Sequence, residues 1–314
     1  VTKPLAIVTE ELDDAAFAWL GERCDAVRCA VDDAQFGDLL ARVEALVIRT
    51  YTRIDAALLT RAPRLRVVGR AGVGLDRVDI PACTARGVRV VSTPDANSSA
   101  VTELVFAYML DALRPRLFLE AAIDEKRWRG LRAELTARKQ LEGATLGILG
   151  LGRVGGRVAR IAAAMNMRVL FNDLREIPPS ERHGATPVSL DELFRQSDVL
   201  TIHIDGRPNN RGFVGERVMG SLRDDALLIN TSRGFVLDHV ALARFLEAHP
   251  GASAILDVHE PEPIDASNPL LGLANAHLAP HLGAATARAH ENMSWVVRDV
   301  CRVLAGEEPK FPAN

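Results

Sequence analysis

The sequence predicts an α/β fold built as two doubly wound parallel-sheet domains, one of them discontinuous. Three observations carry that expectation. Short apolar runs alternate with stretches of helical period almost from end to end, the pattern of right-handed βαβ units on a parallel sheet. The chain has 314 residues, more than one hydrophobic core usually spans. A long helical stretch, Ser99 to Arg127, separates two blocks that each carry the full alternation.

Taken in order, the first block holds predicted strands at Leu5–Val8, Ala45–Ile48, Leu65–Val68 and Val88–Val91. The second holds Thr145–Leu149, Arg168–Asn172, Val199–His203, Ala226–Asn230, Ala254–Val258 and Ala276–Leu278. Helical period is read at Asp55–Arg61, Val154–Met165 and His239–Ala248. Pro115 is expected to kink or divide the Ser99–Arg127 stretch, because proline lacks the N–H that the helical ladder needs. A second long candidate, Thr286–Leu304, closes the chain. Both long stretches read as interdomain helices. Residues 1–96 and 284–314 are then expected to form one discontinuous domain, for substrate, and residues 97–283 the other, for a dinucleotide. Leu104, Met109 and Leu113, like Met165 and Met167, read as core rather than as a cofactor box.

Composition bounds the function classes. With 48% hydrophobic residues, 25% charged residues and a net charge of −3, the chain has a globular balance and no global positive field to attract nucleic acid or anionic lipid. The run Glu125-Lys126-Arg127-Trp128-Arg129 reads as a solvated helix end. Cys24, Cys29, Cys83 and Cys301 fit no metal-ligand spacing and suggest free thiols in a reducing compartment. No apolar run reaches the roughly 18 residues of a membrane span. Val1-Thr2-Lys3-Pro4 leads into a strand and lacks the features of a signal peptide. The expectation is a cytoplasmic protein with no metal, nucleic-acid or membrane partner.

Residues 150–155, Gly150-Leu151-Gly152-Arg153-Val154-Gly155, make Gly-x-Gly-x-x-Gly directly after a predicted strand and at the start of a predicted helix. Gly150 permits the tight turn, Gly152 lets a pyrophosphate approach the backbone, and Gly155 lets the helix pack on the strand. The N–H groups of that turn, those of Arg153 and Val154 included, then face the phosphates together with the helix dipole. Asp173 ends the next strand, roughly 20 residues on, where a carboxylate accepts hydrogen bonds from ribose hydroxyls and repels a 2′-phosphate. Both domains are therefore read as Rossmann-like, and the cofactor as NAD. Arg175, two residues beyond Asp173, is the feature that would favour NADP.

Three polar stations follow, each just past a predicted strand: Asn230-Thr231-Ser232-Arg233-Gly234, Asp257-Val258-His259-Glu260-Pro261-Glu262-Pro263 and Pro280-His281-Leu282-Gly283. Ligands of open α/β sheets collect beyond the carboxyl ends of the strands. Reduction of a 2-keto acid needs such a set. The planar fork of Arg233 suits a carboxylate beside a carbonyl. His281 can give the carbonyl oxygen its proton near neutral pH. Glu262 can hold that imidazole's tautomer and favour its protonated form. His203 and His259 read as structural or supporting. Arg49, after the strand Ala45–Ile48 and before Thr50-Tyr51, is a candidate for the substrate side. With Arg70 it hints at a charged substrate.

The same motifs, together with Gly69-Arg70-Ala71-Gly72-Val73-Gly74-Leu75-Asp76, resemble the D-isomer-specific 2-hydroxyacid dehydrogenases over nearly the whole chain. The resemblance is to the short form, without a C-terminal regulatory domain. It implies that Arg233 binds substrate, that His281 is the acid/base and that Glu262 is its partner. It implies that Val73 and Gly74 offer N–H groups to the substrate carboxylate, that Asp257 meets the nicotinamide carboxamide and that Thr102 lies near the cofactor. Thr231, in the turn of Arg233, is taken as a further cofactor contact. The implied activity is NAD-dependent hydride transfer to or from C2 of a small D-2-hydroxy acid, of glyoxylate/hydroxypyruvate or phosphoglycerate type, in a homodimer. The alternative is an NAD-sensing corepressor on the same fold. Formate dehydrogenases of the superfamily carry glutamine where Glu262 stands. Two departures touch the site. His203-Ile204-Asp205-Gly206-Arg207 replaces a His-x-Pro run, and Arg233-Gly234-Phe235 replaces Arg-Gly-Gly.

Overall fold

All the predicted strands form, and every pairing within the two sheets is parallel. The computed structural model describes residues 3–114, 116–137 and 139–314. The chain divides into two units, residues 1–97 with 284–314, and residues 98–283.

In the first unit β1 (Leu5–Val8), α1 (Asp14–Arg23), β2 (Asp25–Arg28), α2 (Phe36–Leu40), β3 (Ala45–Ile48), α3 (Ala56–Arg61), β4 (Val67–Arg70), α4 (Ile80–Ala85) and β5 (Arg89–Ser92) alternate. The sheet order is β2-β1-β3-β4-β5, with the reversal between β1 and β3. Carboxylates start the helices: Asp13 accepts from the Ala15 and Ala16 N–H groups, Asp55 from Leu58 and Asp79 from Ala82. Two strands start later than their apolar runs. The Leu65 and Val88 N–H groups donate to Ala62 and Cys83, so both residues close the preceding helical turn instead of entering the ladder.

The second unit begins with α5 (Ser98–Leu113) and α6 (Glu125–Glu134). The single stretch expected there is thus two helices, and residues 116–124 between them are not helical. Pro115, expected to divide it, lies outside the described residues. Asp124 accepts the Arg127 N–H and restarts the helix. Next come β6 (Thr145–Leu149), α7 (Arg153–Ala164), β7 (Arg168–Asn172), β8 (Thr186–Pro187), α8 (Leu190–Gln196) and β9 (Val199–Ile202). The unit ends with α9 (Glu216–Met219), β10 (Leu227–Asn230), α10 (His239–Ala248), β11 (Ser253–Leu256) and β12 (Ala276–Leu278). The order β12-β11-β10-β9-β6-β7-β8 reverses at β6 and β9, which puts the turn after β6 at the switch point where such folds bind ligands. Neighbouring strand residues serve opposite faces. Leu149, Leu200, Leu228 and Leu256 join one core, and Ile148, Val199, Leu227 and Ile255 the other. Helices cover both faces, so the strands read as apolar runs.

Each of the two long stretches packs within one unit. Val105, Phe106 and Met109 of α5 lie in the second unit's own core, with Leu113 and Met165 against it. The closing stretch is α11 (Ala287–Ser294) and α12 (Val297–Leu304), within the first unit. There α12 sits on β4 so closely that a Cβ at Gly69 would lie 2.4 Å from Val300. No helix of the described residues is long and apolar enough to cross a membrane.

Candidate active site

The glycine turn has the local geometry that its spacing implied. Gly150 has φ +94°, a left-handed conformation that a side chain would strain, and a Cβ there would meet the His203 carbonyl at 2.9 Å. A Cβ at Gly155 would fall 2.1 Å from the Gly150 carbonyl oxygen, so the helix can start this close to the turn only with glycine. A Cβ at Gly152 would meet nothing within 4 Å. The first turn of α7, with the N–H groups of Arg153, Val154 and Gly155 unpaired within the helix, therefore opens onto free space and carries the positive end of its dipole.

Asp173 stands beside this turn. Its Oδ2 accepts the Leu151 N–H at 2.7 Å and its Oδ1 the Arg175 N–H at 2.8 Å. The Arg175 side chain lies 3.5 Å from the same carboxylate, so the arginine that would favour a phosphate is turned to Asp173. The Thr231 hydroxyl oxygen is buried and makes no hydrogen bond among the described residues. An open helix start, a carboxylate at its edge and an orphaned buried hydroxyl fit a dinucleotide.

Arg233 sits in a turn shaped by Asn230. The Asn230 Oδ1 accepts the Ser232 N–H at 3.0 Å and the Ser232 hydroxyl at 2.8 Å, while its Nδ2 donates to the Arg233 carbonyl at 3.0 Å. The guanidinium Nη1 donates to the Ser232 carbonyl at 2.7 Å. The next residue, Gly234, leaves no space for a Cβ, which would fall 2.0 Å from the His259 backbone. The Arg233 turn thus packs directly on the segment leading to Glu262.

Glu262 has two partners. Its Oε1 accepts the His259 N–H at 2.8 Å, and its Oε2 lies 2.8 Å from His281 Nδ1. An ionised carboxylate only accepts, so Nδ1 carries a proton and Nε2 is the nitrogen left to exchange one. Burial works to raise the Glu262 carboxyl, but the bonds from His281 and the His259 N–H outweigh it and hold it below its usual range. His281 has φ +55°, a left-handed conformation unusual for a residue with a side chain. The three residues lie past the ends of adjacent strands in one sheet, in which Asn230 pairs with Leu256 and Leu256 with Leu278.

Asp257 stands at the turn of His281. It is 1% exposed. Its Oδ1 accepts from the Tyr108 hydroxyl at 2.9 Å and the Leu282 N–H at 2.8 Å, and its Oδ2 accepts the Gly283 N–H at 2.8 Å. Three donors from the chain reach it and hold the turn of His281, and a carboxylate has a further lone-pair site for a fourth. Thr102 is also buried, and its hydroxyl donates to the Ser98 carbonyl at 2.7 Å. As a donor it is committed to its own helix.

His203 is structural. Its N–H donates to the Leu149 carbonyl, its Nε2 meets the Thr201 hydroxyl at 2.9 Å, and burial pushes its pKa down to about 3. His259 donates from Nε2 to the Ala279 carbonyl at 2.7 Å, tying β11's loop to β12's. In the divergent loop, both oxygens of Asp205 pair with the fork of Arg207, and Asn210 bonds the same residue, so an ion pair braces what a proline would otherwise stiffen.

In the first unit the loop after β3 is held by a carboxylate that the sequence did not single out. Glu10, just beyond β1, accepts the N–H groups of Arg49 and Thr52 on Oε1 and those of Thr50 and Tyr51 on Oε2, at 2.6 to 3.0 Å. The Arg49 guanidinium lies 3.2 Å from His290 Nδ1. Among the described residues the Val73 and Gly74 N–H groups donate to no carbonyl or side chain, as an anion-binding loop requires. No cluster of three metal-ligating side chains occurs among the described residues, and all four cysteines are free.

Comparison with known proteins converges on one family. Residues 106–283 match the family model of the D-isomer specific 2-hydroxyacid dehydrogenase NAD binding domain. The chain is 33% identical over 321 residues to a glyoxylate reductase of Aeropyrum pernix, covering 99% of this chain and 95% of that protein. It is 35% identical over 267 residues to a D-3-phosphoglycerate dehydrogenase of Archaeoglobus fulgidus, covering 84% of this chain but 50% of that one. The chain thus spans about half the length of the phosphoglycerate dehydrogenase. Among solved structures, the D-lactate dehydrogenase of Aquifex aeolicus complexed with NAD and lactic acid superposes with a TM-score of 0.83 at 25% identity, covering 96% of each chain. These likenesses do not favour the corepressor alternative. The chain belongs to the D-isomer specific 2-hydroxyacid dehydrogenases, with residues 106–283 as their NAD binding domain.

Proposed function

We propose that this protein transfers a hydride between the nicotinamide of NAD(H) and C2 of a small D-2-hydroxy or 2-keto acid, of glyoxylate/hydroxypyruvate or phosphoglycerate type. The observation that carries the reading is the 2.8 Å contact between His281 Nδ1 and Glu262, which leaves Nε2 as the proton-exchanging atom. NADH, when bound, supplies the hydride. His281 gives its Nε2 proton to the carbonyl oxygen in reduction and takes the hydroxyl proton in oxidation, while Glu262 keeps the ring oriented and stabilises its charged form. Arg233 pairs with the substrate carboxylate and polarises the carbonyl. The Val73 and Gly74 N–H groups and Arg49 serve the substrate from residues 1–96 and 284–314, the substrate-binding domain in this reading.

Residues 97–283 hold the cofactor. Gly150, Gly152, Arg153, Val154 and Gly155 seat the pyrophosphate, and Asp173 accepts from the adenosine ribose. Thr231 offers a hydroxyl with no other partner. Thr102 and Asp257 lie on the nicotinamide side of the cofactor, where Asp257 has a lone-pair site left for the carboxamide. The chain is read as a cytoplasmic homodimer. Leu117, Phe118, Leu119 and Trp128, on and before α6, are 46 to 82% exposed, an apolar patch suited to a second copy. Free cysteines support the reducing compartment. The test is NADH oxidation with glyoxylate, hydroxypyruvate, pyruvate, 2-ketoglutarate and phosphohydroxypyruvate. Turnover with at least one is expected. NADH binding without turnover of any would overturn the assignment.

A further inference from the structure

We propose that Tyr108 is a positioning residue for proton transfer, setting through Asp257 the turn that carries His281; the inference rests on the reading of His281 as the acid/base. Tyr108 lies on α5, whose neighbouring Val105, Phe106 and Met109 are buried against the sheet, so its ring projects from an anchored element. Its hydroxyl donates to Asp257 Oδ1 at 2.9 Å. That carboxylate is 1% exposed, and no cation pairs with it among the described residues. A buried charge in that situation must be held by hydrogen-bond donors. Two of its three donors, the Leu282 and Gly283 N–H groups, belong to the His281 turn itself. The Tyr108 hydroxyl is the donor that fixes the carboxylate from outside the turn.

The turn needs such fixing. His281 sits at φ +55°, a conformation that is costly for an L-residue and persists only where the surroundings over-determine it. Here the determinants are the His281 N–H on the Ala279 carbonyl and the next two N–H groups on Asp257. With the Tyr108 hydroxyl removed, Asp257 keeps only donors that move with the turn, and the imidazole loses its fixed distance to Glu262. Burial first, and then the charge and hydrogen bond of Asp257, push the phenol well above its ordinary range, so it remains a donor whenever the enzyme works.

The test is Tyr108→Phe, alone and combined with His281→Ala, in the full chain. With His281 present, kcat for keto-acid reduction is expected to fall about tenfold, as the loss of one charge-assisted hydrogen bond warrants. The KM for keto acid and the Kd for NADH should stay within about twofold, since the hydroxyl is committed to Asp257. In the His281→Ala background the same change should cost less than about twofold, because a residue acting through His281 has nothing left to position. Amide exchange at Leu282 and Gly283 should accelerate in Tyr108→Phe whether or not a substrate is known. Unchanged kcat with unchanged exchange overturns the proposal, and so does an equal loss in both backgrounds. If the unmodified protein turns over no keto acid, the acid/base reading fails instead. Exchange then decides the role of Tyr108 in the turn, acceleration supporting it and no change overturning it.

Discussion

Replacing Glu262 by glutamine isolates the charge on which the proposed proton transfer depends. The amide keeps an oxygen for the His259 N–H but turns an NH2 group toward His281 Nδ1. A donor there tolerates only an unprotonated Nδ1, so the protonated ring loses its acceptor and faces a second donor. A charge-assisted hydrogen bond contributes roughly 1.5–3 kcal/mol when dry. The two side chains are 43% and 34% exposed, and solvent screening at that exposure brings the value to about 1 kcal/mol. A loss of that size in the protonated ring corresponds to a fall of about fivefold in the kcat/KM plateau for reduction. The acid limb should not follow Glu262, because its carboxyl is held below the usual range and stays ionised as the pH falls into that range. Initial rates of NADH oxidation across about pH 5 to 9 read the plateau and the acid limb. An undiminished plateau would refute the assignment of Glu262 as the partner of the proton donor.

The other predictions are separable from this one. His281→Ala should slow keto-acid reduction by about 10²- to 10⁴-fold while NADH affinity, read by fluorescence titration, barely changes. Asp173→Ser removes the charge beside the glycine turn and the acceptor of the Leu151 N–H, and should narrow the preference for NADH over NADPH about tenfold in kcat/KM. Glu10→Gln should destabilise the protein by about 1–2 kcal/mol in denaturant, since one amide oxygen cannot serve four N–H groups. Burial alone would raise the Glu10 carboxyl, but those N–H groups lower it overall. Its folded-state value therefore lies below the unfolded one, and the stability it adds is complete above the unfolded value of about 4.3 and lost as pH falls through the folded one. The difference between Glu10→Gln and the native protein should accordingly vanish in acid.

What could be read from the sequence followed from how parallel sheets bury their strands. Leu46, Val47, Leu228 and Ile229 face cores on both sides of their sheets, so such strands appear as apolar runs. The edge strands β2 and β8 do not. Asp25–Arg28 begins and ends in a charge, and Thr186–Pro187 pairs over two residues. Arg233, Glu262 and His281 were readable because each follows a recognisable strand by a few residues and carries a side chain suited to the chemistry. Glu10 and Tyr108 gave no such signal. The first acts on a loop about 40 positions away and the second on a residue 149 positions away, and nothing local to either marks it. The role expected of Asp257 shows the converse. Its motif was plain, yet which donors reach a carboxylate is decided by packing.

Four carboxylates share one physical role across the two units. Glu10 takes the N–H groups of the Arg49 loop, Asp173 one from the glycine turn, Asp257 two from the His281 turn and Glu262 one from His259. A loop leaving a parallel strand carries N–H groups that no neighbouring strand can accept, and a carboxylate from another loop, or for Glu262 from the same loop, satisfies them with its several lone-pair sites. The loops that carry the proposed chemistry are therefore fixed by charges that take no direct part in it, apart from Glu262. An amide in place of any of these groups keeps the volume and loses an acceptor, and so would shift loop geometry before it unfolded the sheet beneath. Because the apolar strands hold the two cores regardless, activity should be more sensitive than stability to the state of Asp257 and Glu262. The left-handed backbone at His281 depends on the same arrangement, for without Asp257 beneath it the turn would keep only the His281 N–H bond to the Ala279 carbonyl.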